Sequence, residues 1–544
     1  MLPFTVAAAG SGDFRPCETC RASCTVVRMA EVVRTRAGDV RGRVIDDGYV
    51  YLGLPYAAPP FGANRLRPPR PVASWSGVRD AGELGPEPPQ VAPPATGGTA
   101  SGAAEDWTDV DAAFANVERA APTDECLNLN IWTPDPEATG LPVMVWIQGG
   151  MFELSSTASY DGSRFARDGV VCVVINWRPG AEGFLYLGDG IANLGLLDQV
   201  AALEWVRENI SSFGGDPGNV TIFGESAGAM SIGVLLAMPS AAGLFRRAIL
   251  QSGAAQHVIS PADARRMAGY LAEKLGVPAT REAVAAVGVD RLLAAQARLK
   301  EELFADPDPD RWGHGIVSTT MPWQPVVDGR VVPGEPIDRI AGGSAGQVDV
   351  IVGTNVDDWR LWLLVSGAFA GITDEILTGP VASSGYQSLA AYGLPVEEAL
   401  AAYRARYPQS LPGDVLAAVQ TDWWMRIPAI RLADAHAAAA DASTHMYEFA
   451  WPAPGLGAVH AIEIPFVFDH LGPDVPLFGP MLGDNPPQEL ADTVHSAWVS
   501  FARNGDPGWP RYDLDRRATM RFDTTSRVVE DPRAWEREIW KGAR

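Results

Sequence analysis

The 544-residue sequence predicts an α/β fold, a mostly parallel central sheet covered by helices on both faces, with helical insertions over one rim. Three observations carry this. Between Leu127 and Gly253, short β-branched runs such as PVMVWI and VVCVVINW alternate with amphipathic stretches such as LLDQVAALEWVRENISSF. Strands buried on both faces and joined by crossover helices produce that alternation. The strand-like run QVDVIVGTN then lies between Ala-rich stretches of helical spacing at 260–310 and 385–445. Finally, 47% hydrophobic and 20% charged residues are ordinary globular usage, enough for a sizeable core.

Taken in order, residues 1–31 read as a disordered N-terminal extension. Met1 to Gly12 faintly resemble a secretory signal but lack its basic start. Cys17, Cys20 and Cys24 have no second ligand pair at zinc spacing, so neither a metal nor a disulfide framework is expected. Met29 opens MAEVVRTRAGDVRG, which begins to look like patterned strand and makes the residues before it dispensable. From residue 32 to 544 the chain reads as a single domain: short strands and turns, a Pro-rich passage at Pro59 to Pro71, and a low-complexity loop at 88–105 suited to a mobile flap. The sheet region follows, with insertions at 260–345 and 365–445, and the strand YEFAW and helix ELADTVHSAWVSFARNG close the body.

The charge balance narrows the partners. Lys and Arg number 43 against 66 Asp and Glu, a net charge of −23, which argues against nucleic acid or an anionic membrane surface. The longest apolar runs, Val143 to Ile147 and Val170 to Ile175, fall far short of the roughly 20 residues that span a bilayer. Oligomeric state is left open.

Gly224-Glu225-Ser226-Ala227-Gly228 matches Gly-x-Ser-x-Gly, the sharp strand-to-helix turn that lifts a serine hydroxyl above a sheet. Chance alone gives roughly 0.3 such matches in a chain of this composition, so context decides. Ser226 has it: the strand NVTIF precedes and a small-residue helix start follows. Gly342-Gly343-Ser344-Ala345-Gly346 fits the same pattern but follows a helix end and precedes a strand, so Ser344 reads as a turn residue. A capping serine remains the bland alternative at Ser226.

At this point the sequence resembles the type-B carboxylesterases of the α/β-hydrolase superfamily, the group of cholinesterases and bacterial para-nitrobenzyl esterases. The resemblance covers nearly everything after residue 30, through YLGLPYAAPPFGANRLRPP, DECLNLNIWTP, NLGLLDQVAALEWVRENISSFGGDPGNVTIFGESAGA, LFRRAILQSG, VGTNVDDW and GAVHAIEIPFVF. It implies a serine hydrolase that cleaves carboxylic esters through an acyl-enzyme, without metal or organic cofactor.

A serine needs a general base, and the base needs a carboxylate to hold its tautomer. His460 follows YEFAW through a Pro/Gly loop and occupies the family's histidine position. His257 and His470 are weaker rivals, His314 precedes the acid, and His436, His445 and His495 read as surface residues. For the acid, the family block usually reads Asp-Glu with Glu as the acid. VGTNVDDW aligned on it favours Asp358, with Asp357 as the alternative. The shorter Asp requires a closer backbone. The family's His/Tyr-Gly-Gly-Gly loop stands here as Gln148-Gly149-Gly150-Met151, and by position the amides of Gly150, Met151 and Ala227 are the oxyanion donors. Met151 is the main departure: a side chain fills space that glycine leaves empty and positive φ becomes costly. It is expected to narrow the pocket and disfavour bulky tertiary-alcohol esters. Glu225 and Ser252 are expected to support the triad by hydrogen bonding, a plain core-turn role for Ser252 being equally open.

Among 17 Trp, Trp312, Trp323, Trp359, Trp362, Trp423 and Trp424 fall in or beside the insertions, and one or two of them are expected to line a cleft for a small, neutral, lipophilic ester. Cys126 sits where secreted relatives form a disulfide, yet residues 25–125 hold no cysteine, which points to a free thiol and a cytoplasmic location. Two other functions remain open: amide or carbamate hydrolysis by the same triad, and a non-catalytic binding or adhesion role.

Overall fold

The computed structural model describes residues 29–91, 124–379, 388–473 and 475–543. Among these described residues thirteen strands form one sheet: β1 (Met29–Arg34), β2 (Asp39–Ile45), β3 (Gly48–Pro55), β4 (Val78–Asp80), β5 (Asn128–Thr133), β6 (Leu141–Ile147), β7 (Val171–Ile175), β8 (Gly215–Glu225), β9 (Arg247–Gln251), β10 (Asp349–Asn355), β11 (Thr444–Phe449), β12 (Ala518–Phe522) and β13 (Arg527–Glu530). Their order is β1-β2-β3-β5-β7-β6-β8-β9-β10-β11-β12-β13, with β4 beside β2. From β7 to β12 every neighbouring pair is parallel, while antiparallel strands flank that block on both sides.

Successive side chains of a strand point to opposite faces, so a strand buried on both faces must be apolar throughout. The middle residues of β6, β7 and β9 obey this. Val143, Val145 and Ile147 of β6 join one hydrophobic cluster, with Val171, Val173 and Ile175 of β7 and Ala248 and Leu250 of β9. The alternate residues Met144 and Trp146, Cys172 and Val174, and Ile249 join the cluster on the other face. The helices that matter for the site are α1 (Gly180–Phe184), α2 (Leu194–Asn209), α3 (Ala227–Leu235), α4 (Val289–Ala305), α5 (Ile427–Ala439) and α6 (Gln488–Asn504). Apolar residues of α2, α3 and α5 contribute to the first cluster, and those of α6 to the second, so both faces are covered.

Strand β1 starts at Met29 and pairs with β2, so residues 29–31, expected as the end of a disordered extension, are sheet edge. Residues 1–28, with Cys17, Cys20 and Cys24, and most of the 88–105 loop lie outside the described residues. Three histidines expected at the surface are buried. His436 meets Thr444 Oγ1 at 2.8 Å and the Ala345 carbonyl at 3.3 Å. His495 meets the Val467 carbonyl at 2.8 Å. His445 lies on β11 with the rings of Phe501 and Trp509 about it. Burial lowers all three pKa values, to about 4 for His445, so each is a neutral imidazole held by packing and hydrogen bonds. The helical pattern that suggested exposure had hidden their inward faces.

Candidate active site

In a parallel sheet the loops that follow the strands' C-terminal ends gather at one rim. Four such loops carry the residues of interest: 148–152 after β6, Ser226 after β8, Asp358 after β10 and His460 after β11. Ser226 sits between β8 and α3 with φ +55° and ψ −125°, a conformation few non-glycine residues adopt. Register explains how the turn can be so tight. Gly224 pairs with Ile147 of β6 and Leu250 of β9. A Cβ on Gly228 would stand 1.8 Å from the Ile147 carbonyl, so any larger residue there would push the helix off the strand. The Ser226 N–H donates to Gln251 O at 2.9 Å, fixing the turn to β9.

The spacing of Asp357 and Asp358 left either able to reach the histidine, and the geometry separates them. Asp358 is fully buried, and its Oδ1 lies 2.8 Å from His460 Nδ1. Its Oδ2 accepts from Ser252 Oγ at 3.0 Å and from the Asn355 N–H at 2.9 Å. The Asp358 carbonyl also accepts the His460 N–H at 3.1 Å, so the backbones come as close as the short side chain requires. Asp357 turns to the other strand's loop: its Oδ2 accepts from the Ala458 N–H at 3.0 Å and its N–H donates to the Ala458 carbonyl at 2.9 Å. Asp357 thus ties down the loop that delivers His460.

His460 Nε2 lies 2.9 Å from Glu225 Oε1, a close ionic contact when the ring is protonated. Among the described residues no hydrogen bond joins Ser226 Oγ to His460. Burial alone would lower the His460 pKa, but Glu225 on one ring nitrogen and Asp358 on the other outweigh it and hold it well above its ordinary value. Glu225 is itself pushed upward by burial, which the His460 charge opposes.

A third carboxyl, not singled out in the sequence, belongs to this cluster. Glu463 is buried, accepting from Asn355 Nδ2 at 2.6 Å and Gln251 Nε2 at 3.1 Å. Burial and then the charges of Glu225 and Asp358 push it to about 8, so at neutral pH it is largely protonated. Its only sequence signal was its place three residues after His460.

The loop after β6 carries Gly150, Met151 and Phe152 at φ +122°, +55° and +58°. Left-handed backbone costs a non-glycine residue roughly 1–2 kcal/mol, so Met151 and Phe152 are both strained. A Cβ on Gly149 would lie 2.9 Å from Ser226 Cβ, which measures how closely this loop approaches the serine. Among the described residues the N–H groups of Gly150, Met151 and Ala227 donate to no other group of the protein.

One aromatic ring stands beside the histidine, and others stack beyond it. The Trp362 ring lies 5.9 Å from His460, Trp359 stacks on Trp424 at 4.5 Å, and Trp424 stacks on His257 at 5.3 Å. Trp312 and Trp323 are buried, and Trp312 packs on Tyr270 instead. Ser344 lies in a turn and donates to the Leu236 carbonyl at 3.0 Å. His257 is buried in the aromatic stack, His314 is exposed, and His470 sits half-buried beside the helix at 464–468. Among the described residues no group of three His, Cys, Asp or Glu side chains could hold a metal ion, and no helix is long and apolar enough to cross a membrane.

Comparison with known proteins gives one picture. The model of the carboxylesterase family matches residues 29–540. The para-nitrobenzyl esterase of Bacillus subtilis (strain 168) is 34% identical over 526 residues, 93% of this chain and 98% of that protein. Mouse (Mus musculus) carboxylesterase 1D is 32% identical over 547 residues, 94% of this chain and 92% of its own length. Among solved structures, a carboxylesterase of Geobacillus stearothermophilus superposes with a TM-score of 0.76 at 36% identity, covering 94% of this chain and 99% of that one.

Proposed function

This chain belongs to the carboxylesterase family and is a carboxylic ester hydrolase, and from that premise we propose that Ser226, His460 and Asp358 perform the hydrolysis through an acyl-enzyme. The observation that carries the reading is the Asp358–His460 hydrogen bond of 2.8 Å, made at the same rim where Ser226 stands on its left-handed turn.

Ser226 Oγ attacks the ester carbonyl carbon and gives its proton to His460 Nε2. The carbonyl oxygen becomes an oxyanion that takes hydrogen bonds from the Gly150, Met151 and Ala227 amides. The tetrahedral intermediate collapses, His460 returns the proton to the leaving alcohol, and the acyl group stays on Ser226. His460 then takes a proton from water as that water attacks the acyl carbon, and returns it to Ser226 Oγ as the acyl–Oγ bond breaks and the acid leaves. The serine–imidazole contact tightens when substrate binds, as such contacts commonly do. Asp358 keeps the proton on Nδ1 and stabilises the imidazolium, while Ser252 and Asn355 hold the Asp358 carboxylate still. The chemistry so written uses no cofactor.

The Trp362 ring beside His460, with Trp359 next to it and Trp424 stacked on Trp359, suits a small, neutral, lipophilic ester. A para-nitrobenzyl ester, after which one relative is named, is the natural first probe. A cytoplasmic location is part of the proposal, supported by the free, buried thiols of Cys126 and Cys172, the former pushed up to about 12 by burial. A slowly deacylating aryl ester tests the mechanism: a burst of alcohol equal to the enzyme concentration, with the acyl group recovered on Ser226, is expected. Release of alcohol without a burst and without an adduct would refute it.

A further inference from the structure

The strained loop after β6 is held from behind by one face of α4. Gly150, Met151 and Phe152 stand in the left-handed region in succession, and such a run persists only where neighbours over-determine it. The Phe152 ring is boxed by Phe184 and Trp177 at 5.2 and 6.3 Å, and its carbonyl accepts the Gly180 N–H at 2.7 Å. Gly180 opens α1 at φ +57°, so close under α4 that a Cβ there would stand 2.5 Å from Gln296 Oε1. That same oxygen accepts the Ala181 N–H at 2.7 Å, and Gln296 is buried. One turn further along α4, the Lys300 ammonium pairs with the Glu153 carboxylate. Gln296 and Lys300 are four residues apart and therefore share a helix face. This face grips the loop twice, at Glu153 directly and at Phe152 through α1.

We infer that Gln296 and Lys300 are positioning residues for the oxyanion hole, holding the Met151 amide in its strained orientation where the third glycine of the family's loop is missing. The inference rests on the reading above, in which the Gly150, Met151 and Ala227 amides receive the oxyanion. Neither side chain needs to touch substrate. Displacing the donors by a fraction of an ångström weakens binding of the transition state more than of the ground state, because the oxyanion exists only in the former.

The experiment compares the full-length protein with Gln296→Met, Lys300→Met, Gln296→Glu, Lys300→Arg and Ser226→Ala. It measures kcat and KM on an aryl ester and inhibition by an aryl trifluoromethyl ketone, which forms a tetrahedral adduct with its oxygen in the hole. The two Met variants are expected to lose about tenfold in kcat with KM within about twofold, and to lose ketone affinity by the same factor. Gln296→Glu keeps the accepting oxygen and Lys300→Arg keeps the charge, so both recover most of the loss. Wild-type kcat and ketone affinity in both Met variants, with Ser226→Ala inactive, overturn the inference and leave the nucleophile reading standing. A lower kcat with unchanged ketone affinity also overturns it, since that is a structural effect alone. Wild-type turnover by Ser226→Ala overturns the reading and the inference together. If Gln296→Met does not fold, Lys300→Met and its Arg partner decide the question.

Discussion

Replacing Asp358 by Asn exposes what the carboxylate does, because the two residues have the same shape and differ only in charge and donor pattern. Asp358 Oδ1 faces His460 Nδ1, while Oδ2 takes hydrogen bonds from Ser252 Oγ and the Asn355 N–H. An asparagine can keep only one of these sides as acceptor. If its oxygen serves Asn355 and Ser252, its amide N–H points at Nδ1, which must then accept, and the ring's proton moves to Nε2, where it cannot take the proton of Ser226. If the side chain flips, the oxygen serves His460, but its N–H groups face the Asn355 N–H and leave a buried donor unpaired, at about 1–3 kcal/mol. That difference favours the wrong tautomer by about 5- to 150-fold, and even the correctly flipped fraction lacks the negative charge that stabilises the imidazolium. The two effects together predict a loss of about 10⁴ in kcat, with KM little changed. Asp357→Asn is the control. Its oxygen can still accept the Ala458 N–H, so kcat should fall by no more than about fivefold. Both are read from steady-state kinetics on an aryl ester, with circular dichroism to confirm folding. An Asp358→Asn enzyme within tenfold of wild type, beside an Asp357→Asn enzyme that loses 10³ or more, would refute this reasoning.

Other outcomes follow from the same site. Glu225 holds His460 in its charged form, and the base must be neutral to act, so Glu225→Gln should move the acid limb of kcat/KM to lower pH; an unmoved limb or a shift upward contradicts this. Glu463 has its carboxyl raised from 4.5 to about 8 in the fold, so it binds more protons folded than unfolded, and stability falls as pH rises through that window. Glu463→Gln should therefore raise Tm most at pH 8 and above and least near pH 4.5, and a gain independent of pH argues against a buried neutral carboxyl. Met151→Gly removes a strained side chain beside the oxyanion donors. It should raise the rate on tertiary-alcohol esters relative to primary ones by about tenfold, and an unchanged ratio means Met151 does not shape the pocket.

Local chemistry made much of this site legible in the sequence. Ser226 was separated from Ser344 by what flanks each of them, a strand then a helix in one case and the reverse in the other, and both occupy those contexts. The positive φ foreseen as costly at Met151 is there, and Phe152 shares it. Asp357 and Asp358 were indistinguishable by spacing because adjacent residues after a strand can each reach a neighbouring loop; only their hydrogen bonds to residues 458 and 460 direct one to His460 and the other to Ala458. Glu463 went unremarked because a lone carboxyl inside IEIPFVF resembles a solvated helix start, and its burial depends on Asn355 and Gln251, over 100 residues away. The grip of Gln296 and Lys300 on residues 152–181 spans similar separations, which no periodicity records.

The central claim, that one activated hydroxyl does the chemistry, is tested most directly by a fluorophosphonate probe on the intact protein. One adduct per chain, mapped to Ser226, forming in step with loss of esterase activity and absent from Ser226→Ala, is the predicted result. Stoichiometric labelling that persists in Ser226→Ala, or full inactivation with the adduct on another residue, would contradict it.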